Sequence, residues 1–345
     1  MGGIDSRKGA RPIATISDVA KQAGVSRTTV SRYLNGHLEQ SSDNAQKVAQ
    51  AISALKYRPN LLARSLRSAT THSVAVIVPD LTNPFYPELL SAVETCLAQH
   101  GIQVFVGQSR NDPRREPDML RDYFSRQVDG IIYVAAKSQP DPVLRQIAES
   151  IPVLILDEEI VGFEQETIRV DHELGLYQAA KYLLDLGHRQ LIYLAGPSHL
   201  VTTQLRIQGL QTALNERGGQ AAVEIVAGGY SMDAGRMWAE QFVLHPHHPT
   251  AVLCANDLVA LGVHRAFSKR GIAIPKTVSL LGFDDIFVSA MVSPTLTTVR
   301  QPLHHMGRMI ADRLLQAGQR RHVPASRMVV PPELIVREST APPPW

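Results

Sequence analysis

The sequence predicts a small all-α head followed by a large α/β body of doubly wound parallel sheets. Three observations carry this. Thr15 to Asn35 (TISDVAKQAGVSRTTVSRYLN) has helical periodicity broken by one glycine. From Ser73 onward, short apolar runs alternate with amphipathic stretches of helical period, the signature of strand–helix units. Charge divides the same way: residues 1–68 hold 11 Lys and Arg against 4 Asp and Glu, and the rest holds 24 against 28. With 345 residues and 44% hydrophobic content there is material for two or three domains with real cores.

Residues 1–14 read as a disordered, weakly basic arm. Thr15-Ile16-Ser17-Asp18 has the spacing of a capping box, which opens a helix with Ile16, Val19, Ala20 and Ala23 on one face. Gly24 permits a sharp reversal and Ser26 caps a second helix. Val25, Val30 and Leu34 turn inward from it, while Arg27, Thr28, Thr29, Ser31 and Arg32 stay on or near its outer face. Asn35-Gly36 stops it. A third helix from about Ser42 to Leu55 closes a small core with Val48, Ile52 and Leu55. Two short helices meeting at a glycine, with hydroxyl and basic side chains opening the second, form a helix-turn-helix that places the second helix in the DNA major groove. The basic balance of this segment agrees with a polyanionic partner. A solubilising basic tail is the alternative, but most of these charges sit inside a periodic, apolar-containing pattern.

Pro59 separates this head (15–59) from Asn60 to Ser68 (NLLARSLRS), a helix too short to be stable alone in water. In the body, 74–79, 104–107, 130–136, 152–157, 191–196, 251–255 and 278–283 read as buried parallel strands, with helices over Asp171–Leu186 and Leu303–Leu315. Ligands of such sheets bind at the carboxyl ends of the strands. There lie Asn83-Pro84-Phe85-Tyr86, Asp157, Asn256-Asp257 and Asp284-Asp285, with Arg206 opening a helix after the GPSHL loop. Asp257 and Asp285 read as helix caps rather than ligands.

DVAKQAGVS, TVSRYLN, YRPN and ARSLR, in this order and spacing, resemble the LacI family of transcription regulators, and the resemblance covers nearly the whole chain. It implies that Arg27 and Thr28 read base edges, that Arg32 meets a base or phosphate, and that Ser26, Thr29, Ser31 and Asn35 mostly bind phosphates; Ser17 joins this DNA-binding set. Gln40, Asn44 and Ala45 depart from the family's usual Val, Thr and Arg, so a phosphate contact is expected to be missing there. The segment 60–70 is similar to the family's hinge helix. Leu66 matches a minor-groove wedge with Ala63 beside it, Arg64 and Arg67 hold the flanking backbone, and Asn60 joins the DNA-binding set. An interdomain linker packed on the body is the other reading.

By the same resemblance, residues 72–340 form a periplasmic-binding-protein-like body of two lobes joined by three crossings. One lobe takes about 72–171 and 301–330, the other about 172–300 and 331–340, and 341–345 is a tail. A cleft between the lobes holds a small effector: Phe85 and Tyr86 stack on it, Arg206, Asn256 and Asp284 hydrogen-bond it, and Asp157, Thr202 and Tyr230 form its wall. Carboxylate and guanidinium forks beside aromatic rings suit a sugar-like ligand. Leu200 stands where purine-responsive relatives carry a charged group, which disfavours a purine, and Gly228-Gly229-Tyr230 departs from the family's commoner wall. The implied protein is a regulator, most simply a repressor. It acts as a homodimer on a pseudo-palindromic operator in double-stranded DNA, in the cytoplasm and on the nucleoid when bound.

Other chemistry finds little support in the residues. His245-Pro246-His247-His248 lacks a paired ligand cluster, no nucleophile or base accompanies Asp284-Asp285, and there is no Walker-type loop, so neither metal nor cofactor is expected. Cys96 and Cys254 read as reduced thiols. No apolar run is long enough to span a membrane and no signal peptide is expected. A sugar-binding transport receptor would need export, and an α/β enzyme with a DNA-binding head would need a catalytic grouping. The C-terminal segment lacks a leucine heptad, which argues against a tail-made tetramer.

Overall fold

The computed structural model describes residues 14–39, 41–58, 70–242, 249–318 and 326–344, and the chain divides into two compact units, Met1–Thr71 and His72–Trp345. In the first unit, α1 (Ile16–Ala23), α2 (Arg27–Leu34) and α3 (Asp43–Leu55) enclose a core of Val19, Ala20, Ala23, Val30, Val48 and Ala51. The capping box forms: the Asp18 amide donates to Thr15 Oγ1 (3.3 Å) and the Thr15 amide to Asp18 Oδ2 (2.8 Å). Gly24 takes the left-handed conformation (φ 64°) that lets the chain reverse between α1 and α2. Tyr33 and Tyr57 pack on this core, unannounced by its aliphatic periodicity. Ala45 is buried, so that position faces the core and not the exterior. The arm through residue 13, Gln40, and the segment with Asn60, Ala63, Arg64, Leu66 and Arg67 lie outside the described residues, as does His245–His248.

The second unit contains two six-stranded sheets. Its first half runs β1 (Ser73–Val78), α4 (Phe85–Ala98), β2 (Gln103–Gln108), α5 (Glu116–Ser125), β3 (Gly130–Tyr133), α6 (Pro142–Ala148), β4 (Val153–Leu156) and β5 (Glu166–Val170). The pattern repeats through α7 (His172–Asp185), β6 (Gln190–Leu194), α8 (Val201–Asn215), β7 (Ala222–Val226), α9 (Met232–Gln241), β8 (Ala251–Cys254), α10 (Asp257–Lys269), β9 (Ser279–Asp284) and β10 (Thr297–Arg300). It closes with α11 (Leu303–Gly318), β11 (Arg327–Val330) and β12 (Glu333–Ile335).

The sheets have matching orders, β11-β5-β4-β3-β1-β2 and β12-β10-β9-β8-β6-β7. Among the described strands every pairing is parallel except β10 with β12. Central strands such as β1 (SVAVIV) are buried along their whole length because helices cover both faces. The chain passes between sheets after β5, after β10 and between β11 and β12.

All seven apolar runs are strands, but β2, at a sheet edge, is not buried as expected: Phe105 and Val106 are exposed. Sequence reasoning missed β5, β7, β10, β11 and β12. Of these, β5 (ETIRV) and β10 (TTVR) are rich in polar residues, β10 hiding its threonines by hydrogen bonding. The others, β7 (AVEIV), β11 (RMVV) and β12 (ELI), are short apolar runs with a charged residue, β7 half exposed at a sheet edge. Ala341, placed in the tail by sequence, accepts a hydrogen bond from the His188 ring (2.9 Å) and another from Ser279 Oγ (3.0 Å), so the second sheet holds it. Among the described residues no helix is long and apolar enough to cross a membrane.

Candidate ligand cleft and nucleic-acid interface

In the first unit, α2 presents Arg27, Thr28 and Arg32 exposed, with Thr29 and Ser31 half-buried; Ser17, Ser26 and Asn35 are also exposed. Ser26 caps α2 by accepting from the Thr29 amide (3.1 Å) and shares a hydroxyl–hydroxyl bond with Thr29 (2.9 Å). Asn35 Nδ2 lies 3.5 Å from Ser31 Oγ, and Arg32 Nη2 reaches the His37 carbonyl at 3.4 Å. α2 (RTTVSRYL) contains no carboxylate. Its first turn therefore offers outward amides, hydroxyls and guanidinium groups with no internal anion to compete, a face suited to phosphates and base edges.

In the second unit, a cleft of about 330 Å³ lies at the carboxyl ends of both sheets. It collects Phe85, Tyr86, Asp157, Thr202, Arg206, Tyr230, Asn256 and Asp284, all eight residues that sequence reasoning assigned to an effector, along with Asp80, Glu158 and Gln301. Phe85 and Tyr86 open α4 after β1 and meet edge to face, with centroids 5.1 Å apart. Asp157 follows β4 and Asp284 ends β9, both with positive φ (65° and 118°). Non-glycine residues adopt this strained region where surrounding structure imposes it, commonly at binding sites.

Arg206 is the buried centre of the cleft. It lies in the second turn of α8 and does not open that helix, which begins at Val201. Its Nη1 donates to the Ala255 carbonyl (2.6 Å) and Nη2 to His172 Nδ1 (3.2 Å), and its guanidinium carbon sits 3.9 Å from the Phe283 ring centroid. Burial, reinforced by the Arg206 charge, holds the His172 pKa below its ordinary value. With Nδ1 accepting from Arg206, the neutral ring turns its Nε2–H toward Asp157 Oδ1, 3.2 Å away. Burial alone would raise the Asp157 carboxyl, but His172 with the charges of Arg206 and Arg169 brings it below the usual carboxylate range. Asp284 goes the other way: burial pushes it well above, although Gln301 Nε2 donates to it at 2.7 Å.

Sequence reasoning missed Glu158, which is 3% exposed. From the end of β4 it crosses the cleft to α8, accepting from the Val201 amide (2.8 Å), the Thr202 hydroxyl (2.8 Å) and Ser138 Oγ (3.0 Å). Leu200, at the N-cap of α8, supplies no side-chain bond, so Glu158 does the capping from the opposite sheet. The only signal in the sequence is its place beside Asp157 just past a buried strand. His172 carried no signal, because only the tertiary fold sets it between Asp157 and Arg206.

Two aspartates depart from expectation. Asp257 does not cap α10; Asn256 does, accepting from the Val259 amide (2.9 Å). Asp257 turns back into the core, accepting from Ser289 Oγ and Thr298 Oγ1 (both 2.6 Å) and the Ile286 amide (3.0 Å). Asp285 caps no helix either: it pairs with Arg300 and Arg337, each at 2.7 Å.

Comparisons with known proteins agree with this architecture. Residues 15–60 match the model for bacterial regulatory proteins of the lacI family, and residues 180–340 a periplasmic binding protein-like domain. The chain is 34% identical over 335 residues to the HTH-type transcriptional regulator DegA of Bacillus subtilis, covering 95% of this chain and 98% of DegA. Its fold is similar to a lac repressor dimer bound to operator and the anti-inducer ONPF (TM-score 0.84, 29% identity, 95% of this chain and 99% of that one). It is also similar to the transcriptional regulator CelR in complex with cellobiose (TM-score 0.70, 29% identity, 94% and 99%). With a helix-turn-helix unit, twin parallel sheets around one cleft, and similarity along nearly its whole length, this chain belongs to the lacI family of bacterial regulatory proteins.

Proposed function

We propose that the chain is a transcriptional repressor whose affinity for operator DNA is set by a sugar-like ligand in the cleft. The observation that carries this is the convergence of Phe85, Tyr86, Arg206, Asn256 and Asp284 on one cleft at the carboxyl ends of both sheets. Aromatic faces and hydrogen-bonding forks suit a polyhydroxylated ring, and the similarity to the cellobiose-bound CelR supports it.

In the head, Arg27 and Thr28 read bases, Arg32 contacts a base or phosphate, and Ser17, Ser26, Thr29, Ser31 and Asn35 fix register on the backbone. Asn60, Ala63, Arg64, Leu66 and Arg67 form the hinge, with Leu66 as the minor-groove wedge. The protein works as a homodimer on a pseudo-palindromic site, supported by the operator-bound dimer it resembles. It acts in the cytoplasm, on the nucleoid when bound, and the cleft binds its ligand without converting it. The ligand controls DNA binding by favouring one arrangement of the two lobes over another.

The test is fluorescence anisotropy with duplexes tiling the promoter of its own gene, with and without a panel of sugars. A sugar that shifts operator affinity supports the reading, and the shift should vanish in Arg206→Met. Retention of the full sugar response in that variant would sink the role assigned to the cleft.

A further inference from the structure

We propose that the cleft takes an uncharged polyhydroxylated ligand and rejects sugars bearing a phosphate or carboxylate, with Glu158 as the residue that sets this specificity. The proposal rests on the sugar reading above and narrows it.

A helix N-terminus is a ready anion site, because its first amides lack partners and the dipole favours negative charge. Three helices, α4, α8 and α10, begin at this cleft, and in each a side chain of the protein already holds a first-turn amide, although Pro84, the N-cap of α4, makes no side-chain cap bond. Asn83 Oδ1 accepts from the Phe85 amide (3.1 Å) and Asn256 Oδ1 from the Val259 amide (2.9 Å). On α8, Glu158 provides the cap from the opposite sheet, so the protein's own carboxylate sits where a ligand's anion would sit.

The charges around the cleft point the same way. Among the described residues lining it, Asp80, Asp157, Glu158 and Asp284 are acidic, and Arg206 is the one guanidinium or ammonium group. Each terminal nitrogen of Arg206 already gives one of its two N–H groups, to the Ala255 carbonyl and to His172. An incoming phosphate would meet Asp80, Asp157 and Glu158, and a guanidinium whose two terminal nitrogens each already hold one acceptor.

The carboxylates do not favour a cation in turn, since each is already matched. Asp80 Oδ1 accepts from the amide (2.9 Å) and hydroxyl (2.7 Å) of Thr82, Asp284 from Gln301, and Glu158 from three donors. Asp157 faces His172. Three cleft residues have a buried atom without a hydrogen bond: Arg206 Nε is a donor, and Gln301 Oε1 and Asp157 Oδ1 are acceptors, the last lying 3.2 Å from His172 Nε2. Both kinds suit hydroxyl groups, which donate and accept.

The experiment uses the full chain and calorimetric titration with matched probes: D-ribose, D-glucose and cellobiose against D-ribose 5-phosphate, D-glucose 6-phosphate and cellobionate. At least one neutral probe should bind, and its anionic counterpart should bind at least about tenfold more weakly. Glu158→Ala, which uncovers the α8 amides, should narrow that ratio. It should also gain a rise in Tm with inorganic phosphate, over matched chloride, that exceeds the native chain's response. If that variant does not fold, Glu158→Gln, which keeps the shape and removes the charge, should narrow the ratio alone.

An anionic probe that binds the native chain as tightly as its neutral parent would overturn the charge rule while leaving the sugar reading standing. An unchanged ratio in the Glu158 variants would overturn the role of Glu158. If no probe of either charge binds, the sugar reading falls and this proposal with it.

Discussion

Asp257 shows how far one side chain's role depends on its surroundings. It follows Asn256 directly, yet it faces away from the cleft and ties the Ile286–Ser289 segment and β10 together. Burial raises its pKa from 3.8 to about 7, against the three donors that favour its charged form. A carboxyl raised on folding contributes stability that is full below its unfolded value and is lost as pH rises through its folded value. Denaturant unfolding should therefore show native stability falling between pH 4 and about 7 relative to Asp257→Asn. Parallel curves for the two proteins across that window would refute the assignment. Arg206 was legible from its place after the GPSHL loop, whereas His172 and Glu158 were not: their importance comes from partners distant in sequence, 34 positions for His172–Arg206 and 43 for Glu158–Val201.

Elements pack here through glycines as much as through apolar stripes. α7 and α8 approach so closely that a Cβ at Gly209 would press into the Glu173 carbonyl, and Gly235 and Gly262 bring α9 and α10 together in the same way. Because the obstacle is backbone, Gly209→Ala should cost about 1–3 kcal/mol of stability from overpacking, read by urea unfolding of the body. A neutral or stabilising effect would show that the helices can separate freely. Helix boundaries were largely legible, because caps are local chemistry: Thr15, Ser26, Ser42 and Asp171 each hold the amide three residues on. α8 is the exception, starting at an apolar Leu200 where a local rule has nothing to read. The strands β5, β7, β10, β11 and β12 escaped for a related reason, since short runs broken by a charged or hydroxyl residue become strands through their partner strands and not through hydropathy.

At the scale of the whole molecule, the uneven charge of the chain has a thermodynamic consequence. With basic residues concentrated before residue 69 and a mildly acidic remainder, DNA affinity should come largely from phosphate contacts in the head. Operator affinity should fall steeply as salt rises, by roughly 10³-fold or more between 50 and 200 mM if six or more phosphates are neutralised. A nearly flat dependence in anisotropy titrations would count against this interface. The sequence by itself determined the helix-turn-helix, the strand–helix alternation, and the residues that come together at the strand ends, because periodicity, capping and the switch-point rule act over short spans. Only the tertiary structure decided that Glu158 caps a helix of the other lobe, that His172 links Asp157 to Arg206, and that Asp257 turns inward. Each of these depends on groups far apart in the chain meeting in a buried place, where an unpaired charge or amide would be costly and must find whatever partner the fold brings within reach.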